Sequence, residues 1–474
     1  MQMAYKMLID GKWTEAEKTS EVRNPFNNEL LGMLPQASLE QVAEALGHAH
    51  AHRSLMAEMP IHQRAAILEK TAALLTGNSE KMVRAIILES GKPRKWAEGE
   101  VKRGVENLKF AAEACKAIHG ETVPMDASAG SEGRLGFWLR VPLGVVAAIP
   151  PFNFPLNLVI HKVAPAIAAG NTVVLKPASK TPGASQLLVE LLLQAGLPAQ
   201  AIQLVYGNGS VVGAAIVKDE RVAKITFTGS PAVGKYISKM AGLKKITLEL
   251  GSNSGVIIDE SADIEQAVTR TIMGSFVFSG QVCISVQRIF IHEKIKDVFI
   301  ERFVAEAKKQ HLGDPLDPAT DIGPMISENE ALRLEKWIRE AENQGADLLT
   351  GGNHQGSMFE PTVLTNVTPT MQVMCHEAFG PLVSIVPFKN FDQAITMIND
   401  SVFGLQAGVF TQNYAHMMQA IKKIDVGGVM INDVPTYRVD QMPYGGVKES
   451  GLGREGARFA IEEMTNIKMI MLNT

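Results

Sequence analysis

The stretch VVAAIPPFNFPLNLVIHKVAPAIAAGNTVVLKP, residues 145–177, places two short β-branched runs on either side of a longer apolar segment. Short apolar runs bounded by Pro, Gly and Asn read as buried strands, and "HKVAPAIAAG" between them reads as a helix. Strand, helix, strand at this spacing is the repeating unit of a parallel sheet. The rhythm continues through "AIQLVYG" and "KITFTGS", with the helical "GASQLLVELLLQAG" between. A doubly wound α/β unit is therefore expected around residue 145. A second set of strand-like runs, "ITLELG", "SGVIID", "QRIFIHE", "LVSIVPF", "AGVFT" and "GGVMIND", alternates with helical segments and predicts a second α/β lobe.

Upstream, residues 38 to about 118 are helical in pattern. "SLEQVAEALGHAHAHRSL" opens on Ser38 and Gln41 in capping-box spacing, and "IHQRAAILEKTAALL" and "VKRGVENLKFAAEACKAI" follow as amphipathic covering helices. The break "ETVPMDASAGSEG" precedes "RLGFWLRVPLG", a strand whose apolar residues lack an obvious core and suit an oligomer contact. The terminal "IEEMTNIKMIMLNT" ends in a strand too short to stand alone, which is expected to pair with the arm of the 130s.

At 474 residues the chain exceeds one hydrophobic core, so two or more folding units are the prior. Its 46 basic and 50 acidic residues are scattered and leave a formal charge of −4, which favours neither a nucleic-acid nor a membrane-surface partner. "MQMAYKMLIDGKWTEAEK" has no cationic segment leading into an apolar run, and no apolar span approaches membrane length. A cytoplasmic protein is expected. Three cysteines, Cys115, Cys283 and Cys375, form neither a disulfide framework nor a C-x-x-C metal pair, and no metal site is read.

Each thiol is thus judged singly. Cys115, in "LKFAAEACKAI", reads as core packing. Cys283, in "FSGQVCISVQR" (278–288), sits in an apolar run compatible with a helix, and packing and chemistry are both open from the residues alone. In "AAIPPFNFPLN" (147–157), prolines stiffen a loop after a strand and leave Asn153 as a rigid N–H donor, which suits an oxyanion. Glu249 in "TLELGSNS" lies between leucines on a buried strand, where a carboxylate is either a general base of raised pKa or half of a buried ion pair. "KITFTGSPAVGK" brings Gly229 and Ser230 to a helix start, a place for a phosphate or simply a turn. "VVLKPASKTPG" sets Lys176 at a strand end and Ser179 and Lys180 in the loop beyond, near ribose and phosphate oxygens or in solvent.

Taken together, "PFNFP", "KPAS", "FTGSPAVG", "LELGSNS", "GQVCIS", "HEAFGP" and "PYGGVKESGLGREG" stand in the order found in the aldehyde dehydrogenase superfamily, which the chain resembles over essentially its whole length. The resemblance implies a Rossmann-like NAD(P)-binding domain (1–121 and 141–248), a catalytic α/β domain (249–435) and a small β oligomerisation arm (122–140 and 455–474). It makes Cys283 the nucleophile, Asn153 and the Cys283 backbone N–H the oxyanion donors, and Glu249 the base for hydrolysis. Gly229 and Ser230 would lie near the pyrophosphate, Lys176 near a ribose, and Glu377 and Phe379 of "HEAFGP" near the nicotinamide side.

The cofactor expected is NAD or NADP. Ser179 and Lys180 stand where strictly NAD-using members commonly carry Glu after "KPA", so a 2′-phosphate is permitted. "GQVCISV" and the tail from "INDVPTYRVD" are most similar to lactaldehyde dehydrogenases and related enzymes of short polar aldehydes. Arg438 and Arg103 are candidates for the substrate's polar end, with structural ion pairs as the alternative. Val282 and Phe154 replace the basic residue and His of phosphonoacetaldehyde enzymes, and Phe154 the tyrosine of phosphorylated-triose enzymes. The expected reaction is NAD(P)+-dependent oxidation of a lactaldehyde-like hydroxyaldehyde or short anionic semialdehyde by a homodimer or homotetramer. Succinate-semialdehyde, sulfolactaldehyde and glyceraldehyde-3-phosphate oxidation, and acyl transfer to coenzyme A, are the alternatives; a non-catalytic scaffold fits poorly.

Overall fold

The computed structural model describes residues 3–473. Met1, Gln2 and Thr474, the outermost residues of the segments 1–121 and 455–474, lie outside the described residues. Strand Val145–Ile149 is wholly buried and pairs in parallel with Thr172–Leu175 on one side and Val222–Thr228 on the other. Ile202–Leu204 then extends the sheet beyond Thr172–Leu175, and Lys245–Glu249 beyond Val222–Thr228. Strand order thus reverses at Val145–Ile149. In open α/β sheets the crevice at the carboxyl ends of such a switch point receives the ligand. The helix Asn157–Ala168, buried at every position, provides the crossover from Val145–Ile149 to Thr172–Leu175.

The second sheet repeats the plan about Gly255–Ile258, flanked in parallel by Arg288–His292 and Gln406–Phe410. Leu382–Phe388 and Thr362–Thr365 continue one side, Gly428–Ile431 the other, and Asp347–Thr350 closes an edge antiparallel. "ITLELG", grouped by rhythm with this lobe, belongs instead to the first sheet, where Thr228 aligns with Glu249. Periodicity identifies a strand but not its neighbours, because pairing depends on long-range contacts.

The capping box is formed: Ser38 accepts from the Gln41 N–H at 3.2 Å, and Gln41 accepts from the Ser38 N–H at 3.0 Å. That helix runs Leu39–Ala51, and Ile61–Gly77 and Arg94–Lys116 follow as expected. Cys115 is fully buried against the Ala168 carbonyl. Strand Arg134–Pro142 pairs along its length with Thr465–Asn473 of the same chain, and Leu135, Leu139, Ile467, Met469 and Met471 are exposed on this ribbon. Among the described residues no helix is long and apolar enough to cross a membrane.

Candidate active site

A cavity of about 960 Å³ opens at the switch point of the first sheet. Asn153, Lys176, Gly229, Ser230, Cys283, Glu377 and Phe379 line it, so one space joins motifs spread over nearly half the chain. Val222–Thr228 delivers Gly229 and Ser230, and Ser230 caps the helix Pro231–Met240 with no side-chain bond of its own to the first turn. The helix N-terminus therefore keeps donors available for an anion. A Cβ on Gly234 would lie 2.4 Å from Leu250, which shows how tightly this helix packs onto the sheet. The Lys176 ammonium is buried and, among the described residues, bonded only to the Pro177 carbonyl, at 3.3 Å; burial lowers its pKa to about 8.

Cys283 does not lie in a helix. The helix Ile264–Phe276 ends, and Phe278, Ser279 and Gly280 follow with φ of 48°, 55° and 69°. Consecutive left-handed residues are costly for side chains and reverse the chain where a helix would have continued. Tertiary bonds hold the reversal: Ser279 Oγ donates to the Gly323 carbonyl at 2.7 Å, and the Ile326 N–H donates to Gln281 Oε1 at 2.8 Å. A Cβ on Gly280 would lie 2.1 Å from the Gly380 carbonyl oxygen, so only glycine fits that approach. The run is apolar because it is buried, and its helical look misleads.

The thiol so presented lines the cavity with Asn153, whose Nδ2 donates to the Gln281 carbonyl at 2.9 Å while its Oδ1 has no partner among the described residues. Burial pushes the Cys283 thiol up to about 12, against the Tyr444 hydroxyl and the Arg438 charge, which pull it down. It is a protonated thiol at neutral pH and needs a base. Phe278, Val282, Ile284, Leu405 and Tyr444 form a small apolar cluster against it, with Phe154 at the margin.

Two carboxylates near the thiol are driven in opposite directions. Glu249, at the end of Lys245–Glu249, is 2% exposed and neither oxygen has a partner; burial first, then the charge of Glu455, raises its pKa well above the ordinary value. Burial also works against the charge of Glu455, but Lys162 at 2.7 Å, His161 and Arg438 outweigh it and bring that carboxyl down to about 2. Such a pair separates a permanent anion from a group able to exchange protons. Among the described residues Glu249 forms no ion pair, whereas Glu455 pairs with Lys162 and Arg438. Glu377 accepts from the Ser252 N–H at 2.9 Å, and burial lifts it to about 7. Phe379, at φ 45°, meets Phe152 edge to face at 5.8 Å between centroids.

The model of the aldehyde dehydrogenase family matches residues 13–470. The chain belongs to the aldehyde dehydrogenase family. It is 44% identical to the 3-sulfolactaldehyde dehydrogenase of Priestia aryabhattai, over 99% of this chain and 98% of the relative. It is 41% identical to the lactaldehyde dehydrogenase of Methanococcus aeolicus, over 99% and 100% of the two chains. Among solved structures, aldehyde dehydrogenase 21 of Physcomitrella patens, in complex with the reaction product succinate, superposes with a TM-score of 0.97 at 38% identity, covering 100% of this chain and 99% of the other. The NADP-dependent glyceraldehyde-3-phosphate dehydrogenase of Bacillus halodurans, complexed with NADP, gives 0.97 at 35% identity, covering all of both chains.

This aldehyde dehydrogenase is an NAD(P)-dependent oxidoreductase, and its cleft suits the dinucleotide: free first-turn donors beyond Ser230 and a buried, nearly unpartnered Lys176. The outer positions are less engaged. Ser179 reaches the Gly207 carbonyl at 3.5 Å, Lys180 is exposed, and neither lines the cavity. Arg103 and Arg438 do not line it either. Arg103 forks onto Asp440 at 2.7 and 3.1 Å. The Arg438 side chain is buried, pairs with Glu455 at 3.1 Å and stacks 3.6 Å from the Tyr444 ring centroid, leaving its Nε without a partner among the described residues. Tyr444 was legible in "PYGG" only as a motif letter; nothing in the sequence singles out its hydroxyl, which lies 3.1 Å from Cys283 Sγ.

Proposed function

We propose that this enzyme oxidises a short polar aldehyde, a lactaldehyde-like hydroxyaldehyde or a short anionic semialdehyde, to the acid through a thioester on Cys283. The observation that carries the reading is the buried, unpartnered Glu249 carboxylate, which does not line the cavity but whose charge acts on the Cys283 thiol, beside the fixed Asn153 amide. A buried carboxyl without a partner is destabilising unless it has work to do.

In this reading the thiol passes its proton to Glu249, which returns it to solvent before hydrolysis; the thiolate attacks the carbonyl carbon, and the developing oxyanion takes hydrogen bonds from Asn153 Nδ2 and the Cys283 N–H. Lys176, Gly229, Ser230 and Glu377 hold the dinucleotide, which when bound supplies the hydride acceptor for the oxidation. Phe152 and Phe379 exclude water from its side of the cavity. Glu249 then takes a proton from water as that water attacks the thioester.

The substrate class rests on the apolar cluster against the thiol. Phe278, Val282, Ile284 and Leu405, with Phe154 at the margin, suit a short carbon chain, and the Arg438 guanidinium, whose charge reaches the thiol although the side chain does not line the cavity, is the candidate for a carboxylate, sulfonate or hydroxyl end. The sulfolactaldehyde and lactaldehyde dehydrogenases among the relatives act on aldehydes of this size. NAD(P)H formation from lactaldehyde, glycolaldehyde, succinate semialdehyde, sulfolactaldehyde, glyceraldehyde 3-phosphate and a simple alkyl aldehyde, with each nucleotide, tests this. The short polar members should give the highest kcat/KM, and Arg438→Ala should raise KM for the anionic ones about tenfold or more, the scale of a charged hydrogen bond. Equal losses for the alkyl and anionic aldehydes would make the arginine structural and remove the anionic reading.

The exposed apolar ribbon of Arg134–Pro142 and Thr465–Asn473 supports a homodimer or homotetramer assembled through that arm. Light scattering returning a monomer mass would refute it. Three free cysteines support a cytoplasmic setting, which cell fractionation checks.

A further inference from the structure

We propose that Tyr444 is a catalytic residue: its hydroxyl hydrogen-bonds the attacking sulfur of Cys283, and Arg438 holds the ring that carries it. The proposal rests on the reading of Cys283 as nucleophile.

The geometry is specific. Tyr444 Oη lies 3.1 Å from Cys283 Sγ, and the tyrosine is 2% exposed. Its ring packs within the cluster of Phe278, Val282, Ile284 and Leu405, which leaves no open side to swing into. Its backbone is tied to Glu455 by two bonds, the Tyr444 N–H to the Glu455 carbonyl at 3.1 Å and the Glu455 N–H to the Tyr444 carbonyl at 2.7 Å. The same Glu455 holds Arg438 Nη2 at 3.1 Å, and the guanidinium carbon stands 3.6 Å from the ring centroid. A cation on the face of a phenol draws charge from the ring and makes its O–H a stronger donor. Ring, backbone and cation thus aim one hydroxyl at one sulfur. Phenylalanine would fill the same space, so the oxygen alone distinguishes this position.

A buried thiolate is the species most in need of such a donor. Burial and the neighbouring thiol keep the Tyr444 phenol well above its ordinary range, so it remains protonated while the thiol gives its proton to the base. As sulfur attacks, its electron pair forms the C–S bond and the carbonyl π pair moves to oxygen. Tyr444 keeps its proton throughout. The hydrogen bond increases the thiolate fraction and reduces its intrinsic nucleophilicity by a smaller factor, because nucleophilicity follows thiol basicity with a slope of about one half. The balance is a faster reaction at any pH below the thiol's own titration.

Tyr444→Phe tests this by the pH dependence of iodoacetamide alkylation at Cys283, located by mass spectrometry, alongside kcat/KM for the best aldehyde. The expected result is an alkylation rate at pH 8 lower by about three- to tenfold, a titration midpoint moved upward, a parallel loss in kcat/KM and an unchanged Kd for NADP. Superimposable alkylation profiles would overturn the proposal, as would a loss of thermal stability with an unmoved midpoint, which marks a structural hydroxyl. Cys283→Ser is the separate control. If it turned over aldehyde like the wild type, the nucleophile reading would fail, whatever Tyr444→Phe does.

Discussion

Replacing Cys283 by alanine is expected to lower aldehyde oxidation by about four orders of magnitude or more, the scale on which a lost covalent nucleophile is felt. Nucleotide binding should survive. The thiol borders the cavity, but the groups proposed to hold the dinucleotide, Lys176, Ser230 and Glu377, come from other segments, and Lys176 and Glu377 have bonds of their own. The loop should survive as well, since its reversal at Phe278 to Gly280 is held by Ser279 and Gln281 and not by the sulfur. Stopped-flow fluorescence for NADPH and NADP binding, with steady-state rates, separates the two effects. A variant that loses nucleotide affinity along with activity would show that the thiol supports the cleft.

Glu249→Gln should release a burst of NAD(P)H matching the number of sites and then turn over slower by about 10²- to 10⁴-fold, the range for loss of a general base. The amide keeps the size of the carboxyl but cannot take a proton from water. Because burial holds the Glu249 carboxyl well above its ordinary 4.5, the wild-type rate of thioester release should rise as pH rises through that elevated titration, while the Gln variant stays flat. The same shift has a stability consequence of fixed sign. Below pH 4.5 the carboxyl is neutral in folded and unfolded chains; above it the unfolded chain ionises first, and folded stability is lost as pH climbs toward the folded pKa. The Gln variant should therefore melt higher than the wild type at pH 8, with the difference gone below pH 4.5. Rapid-quench and stopped-flow measurements over pH 6 to 9 check the kinetics. A full wild-type rate without a burst would exclude Glu249 as the base.

Much of the architecture is written in local pattern. The β-branched runs at Val145–Ile149, Thr172–Leu175 and Val222–Thr228 become strands because each is short, apolar and ended by Pro or Gly, and the capping box at Ser38 forms from two residues in one turn. Ordered motifs sufficed to name the family. Other features were hidden because they depend on residues far apart in the chain. "ITLELG" looks like any inner strand, and only its pairing with Val222–Thr228 brings Glu249 to the first sheet's edge of the site. "FSGQVCIS" has helical composition, yet bonds to Gly323 and Ile326 stabilise a left-handed turn there, and the Gly380 carbonyl approaches too closely for any residue but Gly280.

The arginines make the same point in charge. The sequence by itself determined that the chain carries a carboxylate between two leucines, a cysteine in "GQVC" and guanidinium groups at Arg103 and Arg438, because residue type and order do not depend on folding. Only the tertiary structure decided their use. It gave Asp440 to Arg103 and Glu455 to Arg438, left Glu249 with no partner, and brought the Tyr444 hydroxyl to the sulfur. The physical reason is that burial makes an unpaired charge costly and a paired one quiet, and which charges are paired is set by long-range packing that no local pattern records.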